Sequence, residues 1–227
     1  MQTFIDTPYT DGRKMDDGEV VGLLIGMLLG GQHTSSTTSS WLGLYIARDE
    51  ALQEALYEEQ MSVRGGDPIT YDHLEEMDLL DRCLRETLRL RAPLITTMRV
   101  CKVPVQVLGY DIPVDTHVCI SASVNHRLKN VWHNVDNFDP DRLFVGFYDS
   151  FLEYDVSKIG RYSYIPFGQG RHRCIGESFA YVQIKTIWAH LIQKFRFSLP
   201  GGRFPDVDLT TMIQAPKHPI INYTLRN

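Results

Sequence analysis

The chain has 227 residues, a formal net charge of −5 and an ordinary globular composition, 43% apolar and 22% charged. It is long enough to bury a sizeable core, and its acidic balance excludes nucleic acid as the main partner. Four cysteines (Cys83, Cys101, Cys119 and Cys174) form no Cys-x-x-Cys pair; in a chain this long that excludes a disulfide-stapled scaffold and points to reduced thiols in a cytosolic-facing protein.

Residues 1–15 are polar and carry Pro8 and Gly12, the composition of a frayed helix end and a turn. Asp16 or Asp17 can cap a long helix over residues 18–48, with Glu19 in its first turn to complement the dipole. Residues 20–29 are apolar on every side, which predicts a buried half-helix. The apolar run of about twelve residues is too short to cross a bilayer, and no basic-then-apolar leader precedes it. At mid-helix come Gly30, Gly31, Gln32, His33, Thr34 and a run of hydroxyls to Ser39. Glycines and hydroxyls are poor material for a buried helix interior. Two explanations stand: loosened hydrogen bonding that makes room for a ligand or a water, or a small-residue patch where another helix crosses closely.

An amphipathic helix over residues 49–61 is ended by Gly65, Gly66 and Pro68. Asp72 can cap a short helix with Glu75 at its third position. The next helix, residues 77–90, turns Leu79, Leu80, Cys83, Leu84, Thr87 and Leu88 inward. Its Glu86 and Arg89, three apart, share a face and can pair. Short strands are predicted at 103–107, 110–112 and 117–121, with turns at Gly109 and Pro113. A short helix over residues 123–128 follows. Residues 131–162 are irregular, and so long a meander in a compact domain serves a function or wraps a cofactor. A helix over residues 175–195 carries Phe179, Val182, Ile184, Ile187, Trp188, Leu191 and Ile192 at core spacing. The tail, 197–223, reads as a β-hairpin region.

Phe167 to Glu177 is a glycine-punctuated loop that delivers Cys174 to the start of that helix. Arg171, His172 and Arg173 and the first helical N–H groups all favour a thiolate there. Gly168, Gly170 and Gly176 permit tight turns and the close approach of a flat ligand. For an isolated cysteine, a buried free thiol in a glycine-rich turn is the better reading.

Phe167, Gly170, Cys174 and Gly176 stand in register with the haem-thiolate signature of the cytochrome P-450 superfamily, which this loop resembles. The resemblance implies a mainly α fold with small β-sheets, built on a long central helix and ended by a β-hairpin. It implies haem b with Cys174 as the axial iron ligand. Phe167, Gly168 and Gly170 would line the cofactor, and Arg99 and His172 would meet its propionates. Glu86 and Arg89 match the family's Glu-x-x-Arg helix, and Arg142, after Phe138, Asp139, Pro140 and Asp141, matches the arginine that completes a structural network. The run from Gln32 to Thr38, the stretch from Phe179 to Trp188, and Thr210, Thr211, Met212 and Ile213 are similar to the sterol 14α-demethylase family. That similarity places His33 and Thr34 in proton delivery to dioxygen. It sets Gly30, Leu94, Thr96, Met98 and Met212 along a sterol pocket, plain core being the alternative for the Leu and Met positions. Thr96, Thr97 and Ala92 depart from the usual family residues.

The resemblance runs over residues 11–223 and implies that 1–227 is the C-terminal half of a cytochrome P-450 domain. The membrane anchor and the roof of the cavity would belong to an N-terminal half. It implies a monooxygenase that removes a sterol's 14α-methyl group in three successive oxidations. The enzyme would use dioxygen and electrons from NADPH through cytochrome P-450 reductase, on the cytosolic face of the endoplasmic reticulum. Two alternatives share the pattern: another lipid-oxidising member of the superfamily, and a non-catalytic fragment of the parent enzyme.

Overall fold

Asp16 sets the start of the longest element. Its carboxylate accepts from the Glu19 N–H at 2.8 Å while the Glu19 carboxylate accepts from the Asp16 N–H at 3.0 Å, a reciprocal cap that satisfies two otherwise orphaned donors. In this computed structural model, which describes residues 2–143 and 162–226, helix α2 (Asp17–Arg48) follows a short α1 (Gln2–Asp6). Asp49 ends α2 and caps α3 (Glu50–Arg64), accepting from the Leu52 N–H at 3.0 Å. Gly65, at φ +59°, closes α3 in the left-handed conformation. The short α4 (Tyr71–Glu76) is capped by Thr70 and His73, not by Asp72 and Glu75, because the helix starts two residues earlier than the acids suggested.

Helix α5 (Asp78–Leu90) has no cap of its own at Met77. Glu59 on α3 replaces it, accepting from Leu79 N–H at 2.5 Å and Leu80 N–H at 3.2 Å. The last long helix, α7 (Glu177–Lys194), follows the cysteine loop; a single turn, α6 (Ala122–Asn125), lies between. The C-terminal half of α2 packs with α3, α4, α5 and α7 around Trp41, Leu42, Leu44, Ile46, Leu84, Trp188 and Ile192. The tightest approach is between α2 and α7. A Cβ added at Gly43 would lie 2.2 Å from the Trp188 ring, and Trp188 Nε1 donates to the Ser39 hydroxyl at 3.0 Å.

Among the described residues there are four two-stranded antiparallel ladders: β1 (Thr96–Val100) with β4 (His117–Ser121), β2 (Val105–Val107) with β3 (Tyr110–Ile112), β5 (Phe195–Ser198) with β8 (Asn222–Leu225), and β6 (Val207–Asp208) with β7 (Ala215–Pro216). Leu108 and Gly109 both have positive φ, the two-residue turn that suits a twisted hairpin. The buried Gln53 amide of α3 donates to Phe197 O at 3.1 Å and accepts from Phe197 N–H at 2.6 Å, standing in for a neighbouring strand.

Three expectations change. The first half of α2 is exposed rather than buried: Val21, Ile25, Leu28 and Leu29 are each more than half accessible. Its all-round apolar character is real, but the core-forming helices reach only its second half. Phe179 and Ile187 share the helical spacing of the α7 core yet face outward. Strand β1 was not anticipated, because Thr96, Thr97 and Arg99 interrupt the apolar alternation that marks a half-buried strand. Residues 144–161, much of the anticipated meander, lie outside the described residues.

Candidate functional site

The cysteine loop is held by its own backbone. Gly168 N–H donates to Ile165 O at 3.0 Å, Arg173 N–H to Gly170 O at 3.1 Å and Cys174 N–H to Phe167 O at 2.9 Å. Both Gly168 and Gly170 sit at φ +72°, which a side chain would strain. The Phe167 ring anchors one end, 5.7 Å from the ring of Tyr181. At the other end the Gly176 N–H, at the cap of α7, donates to Cys174 Sγ at 3.3 Å. Cys174 is exposed, with exposed Ile175 and Phe179 beyond it in sequence. Arg173 is spoken for by Glu177 at 2.7 Å. Arg171 and His172 are exposed and have no partner among the described residues.

Behind the loop lies a buried ion network. Glu86 and Arg89 are both fully buried. Glu86 takes two hydrogen bonds from Arg89, each 2.7 Å, one from Arg142 Nε at 3.2 Å and one from Asp139 N–H at 3.1 Å. Arg89 gives its remaining donors to His126 O, Val135 O and Asn137 O. Arg142 binds the carbonyls of His133, Asn134 and Asn137. The two guanidiniums thus bind the carbonyls of an irregular segment while the carboxylate between them takes one of its N–H groups.

Helix α2 brings His33 and Thr34 to the exposed part of its surface without joining them. Thr34 Oγ1 donates to Gly30 O at 2.7 Å, Thr38 Oγ1 to Thr34 O at 2.9 Å and Ser40 Oγ to Ser36 O at 2.8 Å. These bonds bridge one turn back along an unbroken helix, so the first of the two explanations, a loosened helix, does not hold. The close helix crossing is present, but at Ser39 and Gly43; added Cβ atoms at Gly30 and Gly31 would meet nothing within 4 Å.

Leu94 and Met212 come from distant segments that meet. Leu94 bridges Ile213, Gln214 N–H donates to Pro93 O at 2.9 Å, and the buried Trp41 of α2 donates to Gln214 O at 2.6 Å. Thr96 and Met98 alternate onto one face of β1, and Arg99 points to the other. Leu94, Thr96, Met98, Arg99 and Met212 are all exposed, so the core alternative for Leu94, Met98 and Met212 does not hold. Arg99 donates only to Met98 O among the described residues, and no bond joins it to His172. Sequence reasoning missed His126, Tyr181 and the buried Asp81–Lys185 pair behind the loop. Singly placed polar residues carry no periodic signal.

The donor set fits a thiolate-bound haem. Among the described residues no group of three or more His, Cys, Asp or Glu side chains could hold a metal ion. A porphyrin brings most of a metal's coordination with it and needs one axial donor from the protein, which Cys174 can supply. The exposed apolar Ile175 and Phe179 suit its flat face, and the unpaired Arg171 and His172 suit its carboxylates.

The loop and the network behind it define a haem-thiolate protein, and the sequence agrees: the family described as Cytochrome P450 matches residues 1–222, and the chain belongs to it. It is 51% identical over 229 residues to lanosterol 14-alpha demethylase of Bos taurus and 50% identical to that of Rattus norvegicus. Obtusifoliol 14-alpha demethylase of Sorghum bicolor is 44% identical over 234 residues. In each case all of this chain is covered, but only 44%, 44% and 46% of the relative. The chain therefore spans a little under half the length of these curated relatives. No helix among the described residues is long and apolar enough to cross a membrane.

Proposed function

We propose that this chain is part of a sterol 14α-demethylase, a monooxygenase that removes the 14α-methyl group of a sterol by three successive oxidations. One observation carries the reading: an exposed thiol, pinned by backbone bonds at both ends of its loop and taking an N–H from Gly176. Bound haem would activate dioxygen, with electrons from NADPH through a reductase.

The chain's own residues would do the rest. Cys174 would hold the iron, with the Gly176 N–H stabilising charge on its sulfur. Gly168 and Gly170 would let the loop approach the cofactor, Phe167 would brace it, and His172 and Arg99 would meet the propionates. Thr34 Oγ1, on leaving Gly30 O, would pass its proton into the site and be reprotonated through His33, which would take protons from solvent. Gly30, Leu94, Thr96, Met98 and Met212 would face the sterol. Glu86, Arg89 and Arg142 would hold the meander behind the loop.

The test is the reduced, carbon monoxide-bound absorption spectrum of the haem-loaded chain. A strongly red-shifted, thiolate-type band is expected, and Cys174→Ala should abolish it. An unchanged band in the variant would remove Cys174 as ligand. The sterol assignment is tested by titration. A 14α-methyl sterol should shift the haem spin state at lower concentration than its 14-desmethyl counterpart, and equal responses would favour another lipid.

A further inference from the structure

Between the ion network and the cysteine loop lies one buried side chain to which no role has been assigned. His126, just after α6, is fully buried. Its Nε2 accepts from the Ile165 N–H at 2.8 Å, and its Nδ1 lies 3.0 Å from Arg89 O. An accepting Nε2 fixes the tautomer: the proton is on Nδ1, which donates to the Arg89 carbonyl. That carbonyl belongs to the last turn of α5, where no helical partner exists. The Arg89 guanidinium in turn donates to the His126 carbonyl at 2.9 Å, so the two residues clasp each other. The ring stacks on Tyr164, whose hydroxyl donates to Arg85 O at 3.0 Å, again on α5.

On its far side the connection continues into the loop. Ile165 O accepts from Gly168 N–H, which opens the first turn, and Phe167 O accepts from Cys174 N–H. We infer that His126 is a positioning residue: it couples the Glu86–Arg89–Arg142 network to the loop and fixes where Cys174 stands. The inference rests on Cys174 being the haem ligand. Burial pushes the imidazole down to about 4, which keeps it in the neutral form this clasp requires.

The test compares His126→Leu, similar in bulk but without hydrogen bonds, with His126→Gln, whose side-chain oxygen can reach the Ile165 N–H. In the haem-loaded protein, H126L should raise amide exchange at Ile165 and Cys174 at least tenfold. It should also convert half or more of the thiolate-type carbon monoxide band to the neutral-thiol form. H126Q should restore both. Wild-type exchange and spectrum in H126L would overturn the proposal. Equal losses in both variants would overturn it too, by assigning the effect to packing of the ring. If H126L does not fold, H126Q and His126→Asn carry the test. Asn reaches the Arg89 carbonyl but not the Ile165 N–H, so fast exchange is expected in H126N only, and the reverse order refutes the coupling. A wild-type protein without a thiolate-type band would overturn the ligand assignment instead and leave the exchange comparison standing.

Discussion

Removing Glu86 would cost the fold heavily. Its carboxylate is the only anion of the network that is fully buried, between Arg89 and Arg142. Glu86→Ala would strand two guanidiniums, one of them completely buried, and deleting one partner of such a group typically costs about 3–5 kcal/mol. Urea unfolding of E86A should show a loss of that size, and a loss below about 1 kcal/mol would mean the network is solvated. His126 makes a pH-dependent contribution of known sign. Its folded pKa is depressed to about 4, chiefly by burial, with Arg89 and Arg127 adding repulsion. The unfolded ring takes up a proton near pH 6.5 and the folded ring does not, so stability from this group falls as pH drops from about 6.5 toward 4. Between pH 7 and pH 5 the wild type should lose about 2 kcal/mol more than H126L. Equal losses would show that the ring is not kept neutral.

At the level of elements, sequence and structure part company in instructive places. The helices of α2, α3, α5 and α7 were legible because period, caps and terminating Gly or Pro act locally, within a turn or two. The Glu86–Arg89 pair was legible as a motif, but its burial was not, since that depends on carbonyls of residues 133–137 some fifty positions away. The same holds for the α5 cap, which Glu59 delivers from another helix, and for Leu94 meeting Ile213. The cysteine loop was legible because three glycines and a cysteine at fixed spacing encode backbone geometry directly. The geometry at His33 and Thr34 was not legible: the Thr34 hydroxyl bonds back into its own helix. Gly43 shows what a pattern cannot reveal. It lies in an apolar stretch with no special φ, yet the Trp188 ring occupies the space of its missing Cβ. Gly43→Ala gains helix propensity of about 1 kcal/mol but forces α2 and α7 apart, and overpacking of this kind costs about 1–3 kcal/mol. Net destabilisation is expected by thermal or urea unfolding, partly relieved in the double variant with Trp188→Phe. A stabilised G43A would show that α2 and α7 can part at this crossing at little cost.

Over the whole molecule, packing is strongly uneven, and the unevenness follows α2. From Thr37 to Ala47 the helix is buried or nearly so, with Trp41, Leu42 and Ile46 fully enclosed. From Val20 to Gly31 no residue is buried, and Val21, Ile25, Leu28 and Leu29 present an apolar stripe at helical spacing. Helices gain most of their stability from a packed face, and an unpacked segment keeps little beyond its own marginal propensity. This segment contains Gly22, Gly26, Gly30 and Gly31, each weakening it by about 1 kcal/mol relative to alanine. One helix should therefore behave as two. Amides of residues 24–33 should exchange by local fraying, orders of magnitude faster than those of residues 41–47, which open only with the core. Uniform protection along α2 would show that another surface covers the stripe in solution. The core then has a definite boundary near Thr34, and the half-buried hydroxyl proposed for proton delivery stands on it. Its donor bond to Gly30 O lies on the weak side, so the position of Thr34 Oγ1 depends on whether the first half of α2 stays helical. Gly30→Ala should stiffen that turn without filling occupied space, and slower exchange at Thr34 than in the wild type is the expected result. Unchanged exchange in G30A would place the boundary before Gly30, inside the stable part of the helix.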